Sequence, residues 1–275
     1  MRLLLLPVLL RRGGFNGAPL DERQARFAID LPAYGRLLEQ LAGRARRDPL
    51  LTVGVAPQSL RGVSHEDLQA LLALRAAILP DCPVHLHIAG DEAEIDDSIV
   101  HTGARPIEWL CAHFDVDRHW VLVHATHATP QELARLAERR AVVCLCATTE
   151  ANQGLGTFDM ASWWPTDGAL AIGSDSNVTV SAGEELRWIE YTTRLLARQR
   201  SRLVTDQNPH PGSALWRRAV SGGRQAMGCP HPGIAVGAPA DLLAIHRDDK
   251  RIKPDEALDD LVFTQRMTHA EMIDV

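Results

Sequence analysis

The chain has 275 residues, 45% of them hydrophobic and 23% charged, and its formal net charge is −6. This length can bury a sizeable core in one large domain or in two unequal ones. The acidic balance, without a basic patch, argues against nucleic acid as a partner. Five cysteines without a CxxC pair are typical of free thiols in a reducing compartment, so we expect a cytoplasmic protein.

The first residues contain an apolar run, Leu3–Leu10. A secretory signal peptide is one interpretation, but Arg11 and Arg12 follow the run directly and no small-x-small cleavage site is evident. The run is also too short to cross a bilayer, so we expect no membrane partner. We favour a buried β-strand.

Short apolar runs then alternate with amphipathic segments as far as about Ala171. The runs are largely continuous and rich in leucine and β-branched residues, as parallel strands covered on both faces are. This alternation favours an α/β fold with a parallel sheet, open or closed into a barrel. We predict six strands, at Leu3–Leu9, Leu51–Ala56, Val84–Ala89, Trp120–Ala125, Ala141–Cys146 and Ala169–Gly173.

Three predicted helices have readable start signals. Thr129–Glu132 (TPQE) offers an N-cap threonine, a proline at the first helical position and a glutamate at the third. Ser64–Asp67 and Ser181–Glu184 repeat this logic. We expect the helix after Ser181 to place four apolar residues broadly on one face: Leu186, Ile189, Leu195 and Leu196.

The composition changes after about Gly228, where glycines and prolines precede a short β-like run at Leu242–Ile245. We therefore predict a large domain over residues 1–228 and a small β-rich segment over residues 229–275.

Polar residues gather at the carboxyl ends of the predicted strands, the face that holds the active site in (β/α)₈ barrels. They are His85, His87, His124, His127, Glu150, Asn152 and Asp175. Imidazole and carboxylate groups together indicate metal-assisted hydrolysis. His87 and Asp175 are the candidate ligands, and His124 could orient the water or act on the leaving group.

Several of these residues also have structural interpretations. We expect His85 to be a packed, hydrogen-bonded neighbour of His87, and for His127 a structural and a functional role remain open. Cys144 and Cys146 are interpreted as core thiols. Arg61 is either an anion clamp, through its planar guanidinium group, or an ordinary surface arginine.

Taken together, the motifs resemble the formimidoylglutamate deiminase family of the amidohydrolase superfamily. The similarity covers nearly the whole chain and is carried by HLHIAGDEAEIDD, GARPIEWL, VLVHATHATPQE, LCATTEANQGLGTF, GSDSNV and GIAVGAPADLL. The resemblance implies a (β/α)₈ barrel with a small β-sandwich, one zinc ion and assembly into a homodimer. The implied reaction, a step of histidine degradation, hydrolyses N-formimino-L-glutamate, a small molecule, to N-formyl-L-glutamate and ammonia.

The resemblance also implies roles for individual residues. His87 and Asp175 would be zinc ligands, and Asp175 would also accept a proton. His124 would polarise the reacting group, and Arg61 would bind a carboxylate of the substrate.

The chain departs from the family pattern at several points. The family's His-x-His on its first strand has no counterpart, because Leu3–Leu9 matches the third strand. We therefore expect an incomplete barrel of family strands 3 to 8, followed by a partial sandwich segment. In addition, Gly90 stands where the family has a glutamate that shuttles protons.

Three interpretations of function follow. The chain is an active deiminase, a catalytically silent remnant of one, or one half of a split enzyme that needs a partner chain.

Overall fold

A computed structural model describes residues 2–229, 233, 235, 236, 238, 242–245, 256–264 and 270–273 of the chain. All six predicted strands are present, and the first two are each divided into two short pieces. The strands are β1 (Leu3–Leu5), β2 (Val8–Leu9), β3 (Leu51–Val53), β4 (Ala56–Pro57), β5 (Val84–Ile88), β6 (Trp120–His124), β7 (Val142–Leu145) and β8 (Ala169–Ile172).

These strands form one continuous parallel arrangement. β1 pairs with β3 and β2 with β4. The bridges Val55–Val84 and Ser59–His87 connect this part to β5, and β5, β6, β7 and β8 follow in order. Within the described residues, the outer edges of β1/β2 and of β8 have no strand partner, which confirms the prediction of an incomplete barrel.

The expectation that the first strand is buried is only partly correct. Leu9 is fully buried, whereas Leu3, Leu5 and Val8 are exposed, Leu3 by 52%. In the described part of the chain this strand pairs only with β3/β4, so it lies at an edge of the sheet. An apolar sequence therefore predicted the strand correctly but not its position in the sheet.

Helices follow the strands and cover the sheet. Their bounds are α1 (Glu22–Ala25), α2 (Leu31–Ala45), α3 (His65–Ile78), α4 (Glu92–Thr102), α5 (Pro106–His113), α6 (Pro130–Glu138), α7 (Ala147–Gln153), α8 (Met160–Trp163), α9 (Ala182–Ala197), α10 (Pro211–Ala226) and α11 (Ala257–Phe263), with a 3₁₀ turn at Trp164–Thr166. In the described region, no helix is both long enough and apolar enough to cross a bilayer.

The predicted helix starts are confirmed. Ser64 and Thr129 each form a capping box with the residue three positions later. Ser181 accepts the N–H of Glu184. These caps satisfy N–H groups that have no partner inside the helix, and they fix where α3, α6 and α9 begin.

The prediction that α9 buries one apolar face is correct for its first half and wrong for its second half. Leu186 and Ile189 are buried, but Leu195 is 77% exposed and Leu196 is also exposed. Nine residues make two and a half helical turns, so Leu195 lies on the opposite side of α9 from Leu186.

The core lies between the sheet and its helices. Tyr34 and Leu38 of α2 and Leu68 of α3 are fully buried, as are Leu86 and Leu122 of the strands. The hydroxyl of Tyr34 donates to the carbonyl of Pro7 at 2.9 Å. This hydrogen bond holds α2 against the gap between β1 and β2, and burial raises the pKa of the phenol.

Helix α10 lies so close to β8 that a glycine is required at the contact. A Cβ built on Gly222 would stand 2.0 Å from the carbonyl oxygen of Leu170. The contact holds the last helix of the barrel region against its last described strand.

The predicted run at Leu242–Ile245 forms a strand, β9, which pairs antiparallel with β10 (Ala270–Ile273). α11 packs against α10, where the imidazole of His210 contacts Asp259 at 2.9 Å. Most of residues 230–241 and 246–255 lie outside the described residues. The division at residues 228 and 229 therefore stays a prediction.

Candidate metal centre

The carboxyl ends of β5, β6, β7 and β8 bring four candidate side chains together: His87, His124, Cys146 and Asp175. The backbone of His124 and of Asp175 has a positive φ, 70° and 43° respectively. Non-glycine residues rarely adopt this conformation, and such strain concentrates at functional sites. Here the two residues lie at the carboxyl ends of β6 and β8, which flank β7 in the sheet.

His124 is held in one orientation by a buried carboxylate. Its Nδ1 contacts Oε1 of Glu150 at 3.1 Å, and both residues are buried. A carboxylate only accepts hydrogen bonds, so Nδ1 carries the proton and Nε2 keeps its lone pair. Nε2 lies 3.8 Å from Oδ2 of Asp175. A histidine whose second nitrogen is fixed in this way is typical of metal sites.

His87 is oriented in a similar way. Its Nδ1 lies 3.1 Å from the carbonyl oxygen of Gln58, which can only accept, so Nε2 is again the free nitrogen. The ring centres of His87 and His124 are 5.5 Å apart. Burial, reinforced by His124, lowers the pKa of His87 and so favours the neutral imidazole that binds metals.

The donor atoms of three of these residues converge. One donor each from His124, Cys146 and Asp175 lies within 4.8 Å of the other two. Imidazole, thiolate and carboxylate groups are the ligands that zinc takes in proteins. The residues present therefore fit a divalent metal ion.

Two further histidines of these strand ends contact backbone carbonyls. His85 contacts the carbonyl of Ala226 through Nε2 at 2.9 Å, which confirms the packed role. His127 contacts the carbonyl of Leu155 through Nε2 at 2.7 Å, a structural hydrogen bond.

Arg61 lies near the same face of the sheet and forms an ion pair with Asp91 at 2.9 Å. Asp91 is also the N-cap of α4, where it accepts the N–H of Glu94. Both partners of the ion pair are about one-third exposed, so solvent reaches the guanidinium group. A role in binding a substrate carboxylate stays a prediction.

Sequence reasoning missed a buried acid next to Gly90. Oε2 of Glu94 accepts the N–H of Gly90 at 3.1 Å, and Oε1 has no partner among the described residues. Burial raises the pKa of this carboxyl to about 7. A Cβ on Gly90 would stand 3.4 Å from Cδ2 of His124, so the acid lies close to the centre.

Neither Glu94 nor Cys146 could be recognised from its local sequence. Glu94 is one of five acids in DEAEIDD, and only the packing of α4 distinguishes the buried one from the others. Cys146 is buried, as expected of a core thiol, and its sulfur also lies beside His124 and Asp175. Glu150 was a candidate polar residue without an assigned role, and it is the residue that orients His124.

The sequence pattern of the amidohydrolase family matches residues 32–268. The chain belongs to this family. It is 44% identical over 251 residues to the formimidoylglutamate deiminase of Pseudomonas aeruginosa, a match that covers 90% of this chain and 54% of that protein. The resemblance inferred from the motifs is thereby confirmed.

Solved structures place the fold in the same class. An amidohydrolase from Brucella melitensis is 40% identical and superposes with a TM-score of 0.91, covering 100% of this chain and 60% of the other. An adenosine deaminase from Xanthomonas campestris, solved with bound zinc, superposes with a TM-score of 0.80 at 24% identity, covering 98% of this chain and 59% of the other. The fold is an incomplete form of the amidohydrolase barrel, and the chain spans little more than half the length of these relatives.

Proposed function

We propose that this chain is a metal-dependent deiminase that hydrolyses N-formimino-L-glutamate to N-formyl-L-glutamate and ammonia, with one zinc ion as cofactor. One observation carries the proposal: Glu150 aims Nε2 of His124 at Asp175, beside His87, at the carboxyl ends of parallel strands. The identity to the Pseudomonas deiminase supports the choice of substrate. The free thiols of all five cysteines agree with a cytoplasmic location, which is part of the proposal.

The reaction needs only water as its second reactant. The water oxygen forms a bond to the formimino carbon, and the bond from that carbon to the terminal nitrogen breaks. The nitrogen leaves as ammonia with both hydrogens of the water, and the carbon becomes a formyl group. The site must therefore take a proton from water and deliver one to nitrogen.

Each proposed residue has a task in this scheme. His87 and Asp175 hold the metal ion, which, when bound, makes water more nucleophilic and polarises the group under attack. Asp175 accepts a proton from the attacking water. His124 hydrogen-bonds the reacting group, and Arg61 binds a carboxylate of the substrate.

Glu94 is the best-placed acid to deliver a proton in this chain. Its pKa of about 7 keeps a large fraction of the carboxyl protonated near neutral pH. Its carboxylate accepts the N–H of Gly90, the position at which the related family has a glutamate. Gly90 in turn lies against the imidazole ring of His124. A group with a pKa near the working pH is the most effective proton donor.

The open sheet edges favour a second candidate function, one half of a split enzyme. In the described part of the chain β1/β2 and β8 each lack a neighbour on one side. Unpaired parallel strands of this kind offer backbone groups to another polypeptide. The Pseudomonas relative has almost half of its length without a counterpart here.

One experiment separates the three interpretations. Ammonia release from N-formimino-L-glutamate is measured with zinc, for the chain alone and for the chain mixed with the part of the Pseudomonas relative that it lacks. Release by the chain alone supports the active deiminase, and release only in the mixture supports the split enzyme. The same relative fragment without this chain is the control. Release in neither sample contradicts both proposals and favours a silent remnant.

A further inference from the structure

Two thiols of the β7 segment, Cys144 and Cys146, lie on the side of the sheet that faces the candidate metal centre. They are two residues apart, a spacing that places both on one face of a strand. A Cβ built on Gly173, which follows β8, would stand 3.2 Å from Sγ of Cys146 and 3.7 Å from Sγ of Cys144. Cys146 is the one at the end of the strand, level with the other candidate ligands.

The surroundings of Cys146 are built to hold it in place. Its N–H donates to Oε1 of Glu150 at 2.9 Å, the same oxygen that orients His124. Its side chain is almost completely buried. One carboxylate therefore positions both the imidazole and the thiol at the centre.

Within the described residues, Nε2 of His124 has no hydrogen-bond partner. His124 is only 8% exposed. The contact from its Nε2 to Asp175 is 3.8 Å long, too long for a hydrogen bond. A cation bound by Cys146 and Asp175 would lie beside this nitrogen, because one donor atom from each of the three residues lies within 4.8 Å of the other two.

We propose that Cys146 is a ligand of the metal ion at this centre, so that the ion carries a sulfur–metal bond. The inference rests on the metal centre of the proposed function. His87 and Asp175 supply two protein ligands, whereas a catalytic zinc ion usually has three and an open position. A thiolate from Cys146 is the third. When it binds, the thiol proton leaves to solvent and a sulfur lone pair forms the bond to the ion.

A thiolate ligand also predicts which metals this chain prefers. Sulfur is a soft donor, which favours zinc and cobalt over magnesium, calcium or manganese. A centre of histidine and aspartate alone would discriminate less between zinc and manganese.

The test is a cobalt titration of the full-length chain after its metal has been removed with a chelator. A cobalt–thiolate bond gives an intense charge-transfer band in the near ultraviolet, which nitrogen and oxygen ligands do not give. We expect this band to saturate at one cobalt ion per chain. In Cys146→Ser the band is expected to disappear and cobalt affinity to fall by roughly tenfold or more. Cys144→Ser is the matched control and retains the band.

The outcomes separate this inference from the proposed function. Cobalt binding without the band, in the wild-type chain, overturns the role of Cys146 and leaves the metal centre intact. A band that persists in Cys146→Ser also overturns it. If neither the wild-type chain nor Asp175→Asn binds cobalt, both the role of Cys146 as a ligand and the metal dependence of the proposed function are wrong.

X-ray absorption at the zinc edge provides a measurement that does not depend on the folding of a variant. For the zinc-loaded wild-type chain we expect one sulfur neighbour at about 2.3 Å in addition to nitrogen and oxygen neighbours at about 2.0–2.2 Å. A first shell made only of nitrogen and oxygen contradicts the inference.

Discussion

Glu150 and His124 form a buried hydrogen bond of 3.1 Å that fixes which imidazole nitrogen faces Asp175. The two residues come from neighbouring strands of the barrel, at the end of β6 and in the helix that follows β7. The carboxylate determines the tautomer, and the tautomer determines what the centre can bind. The first prediction tests this relationship.

Glu150→Ala is expected to weaken zinc binding by about 10- to 100-fold, because His124 loses the acceptor that orients it. It also leaves the N–H of Cys146 without its acceptor, which costs about 1–3 kcal/mol of unfolding free energy. Zinc titration and urea unfolding measure the two effects. Glu150→Gln keeps an acceptor oxygen, so we expect smaller losses of zinc affinity and of unfolding free energy than in Glu150→Ala. Wild-type zinc affinity in Glu150→Ala would show that His124 does not depend on this carboxylate.

The two histidines of β5 are expected to respond differently to the same substitution. His87→Asn removes a proposed ligand, so zinc affinity should fall by at least about tenfold. His85→Asn disrupts a packing hydrogen bond to Ala226, so it should lower the free energy of unfolding by about 1 kcal/mol and leave zinc binding unchanged. The reverse pattern in a zinc titration would mean that His85 is the ligand.

Glu94 makes stability depend on pH. Its pKa is about 7 in the folded chain and ordinarily 4.5, so between these values the folded state binds more protons than the unfolded state. Stability therefore falls as the pH rises from 4.5 to 7, by up to about 3 kcal/mol from this group. Glu94→Gln is expected to match the wild type near pH 4.5 and to exceed its stability at pH 8.

Urea unfolding at the two pH values measures this difference. Glu92→Gln, on the exposed side of the same helix, is the matched control and should follow the wild-type curve. If Glu94→Gln is no more stable than the wild type at pH 8, the raised pKa of Glu94 is wrong.

Adjacent glycines of α10 provide a test of the helix contact with β8. Gly222→Ala pushes a methyl group into the carbonyl of Leu170, so we expect a loss of about 2 kcal/mol or more of unfolding free energy. Among the described residues, no side chain or other segment comes within 4 Å of the corresponding position of Gly223. Gly223→Ala should therefore stabilise the chain by about 0.5–1 kcal/mol, because alanine favours helices. Thermal or urea unfolding of the two variants measures this difference. Equal changes in unfolding free energy would contradict the close contact between Gly222 and Leu170.

The elements that could be predicted from the sequence are those set by local chemistry. Continuous apolar runs located all six strands, and the caps at Ser64 and Thr129 located two helix starts. Histidine and aspartate at strand ends predicted the face where His87, His124 and Asp175 come together, because parallel strands align their carboxyl ends.

What could not be predicted depends on packing between distant segments. The exposure of Leu3 follows from the absence of a strand beside β1 in the described residues, which its own sequence does not reveal. The burial of Glu94 depends on how α4 packs, and the position of Cys146 depends on strands β6 and β8. His124, for example, contacts Glu150 and Asp175, which lie 26 and 51 positions further along the chain.

The central claim is that Asp175 and the residues around it form a metal centre that hydrolyses a formimino group. Its most direct test is zinc-dependent ammonia release from N-formimino-L-glutamate, measured side by side for the wild type and Asp175→Asn, each alone and with the complementing fragment of the Pseudomonas relative. We predict that only samples with the wild-type chain and zinc release ammonia above the rate of zinc alone. Equal release by Asp175→Asn, or no release in any sample, would contradict the claim.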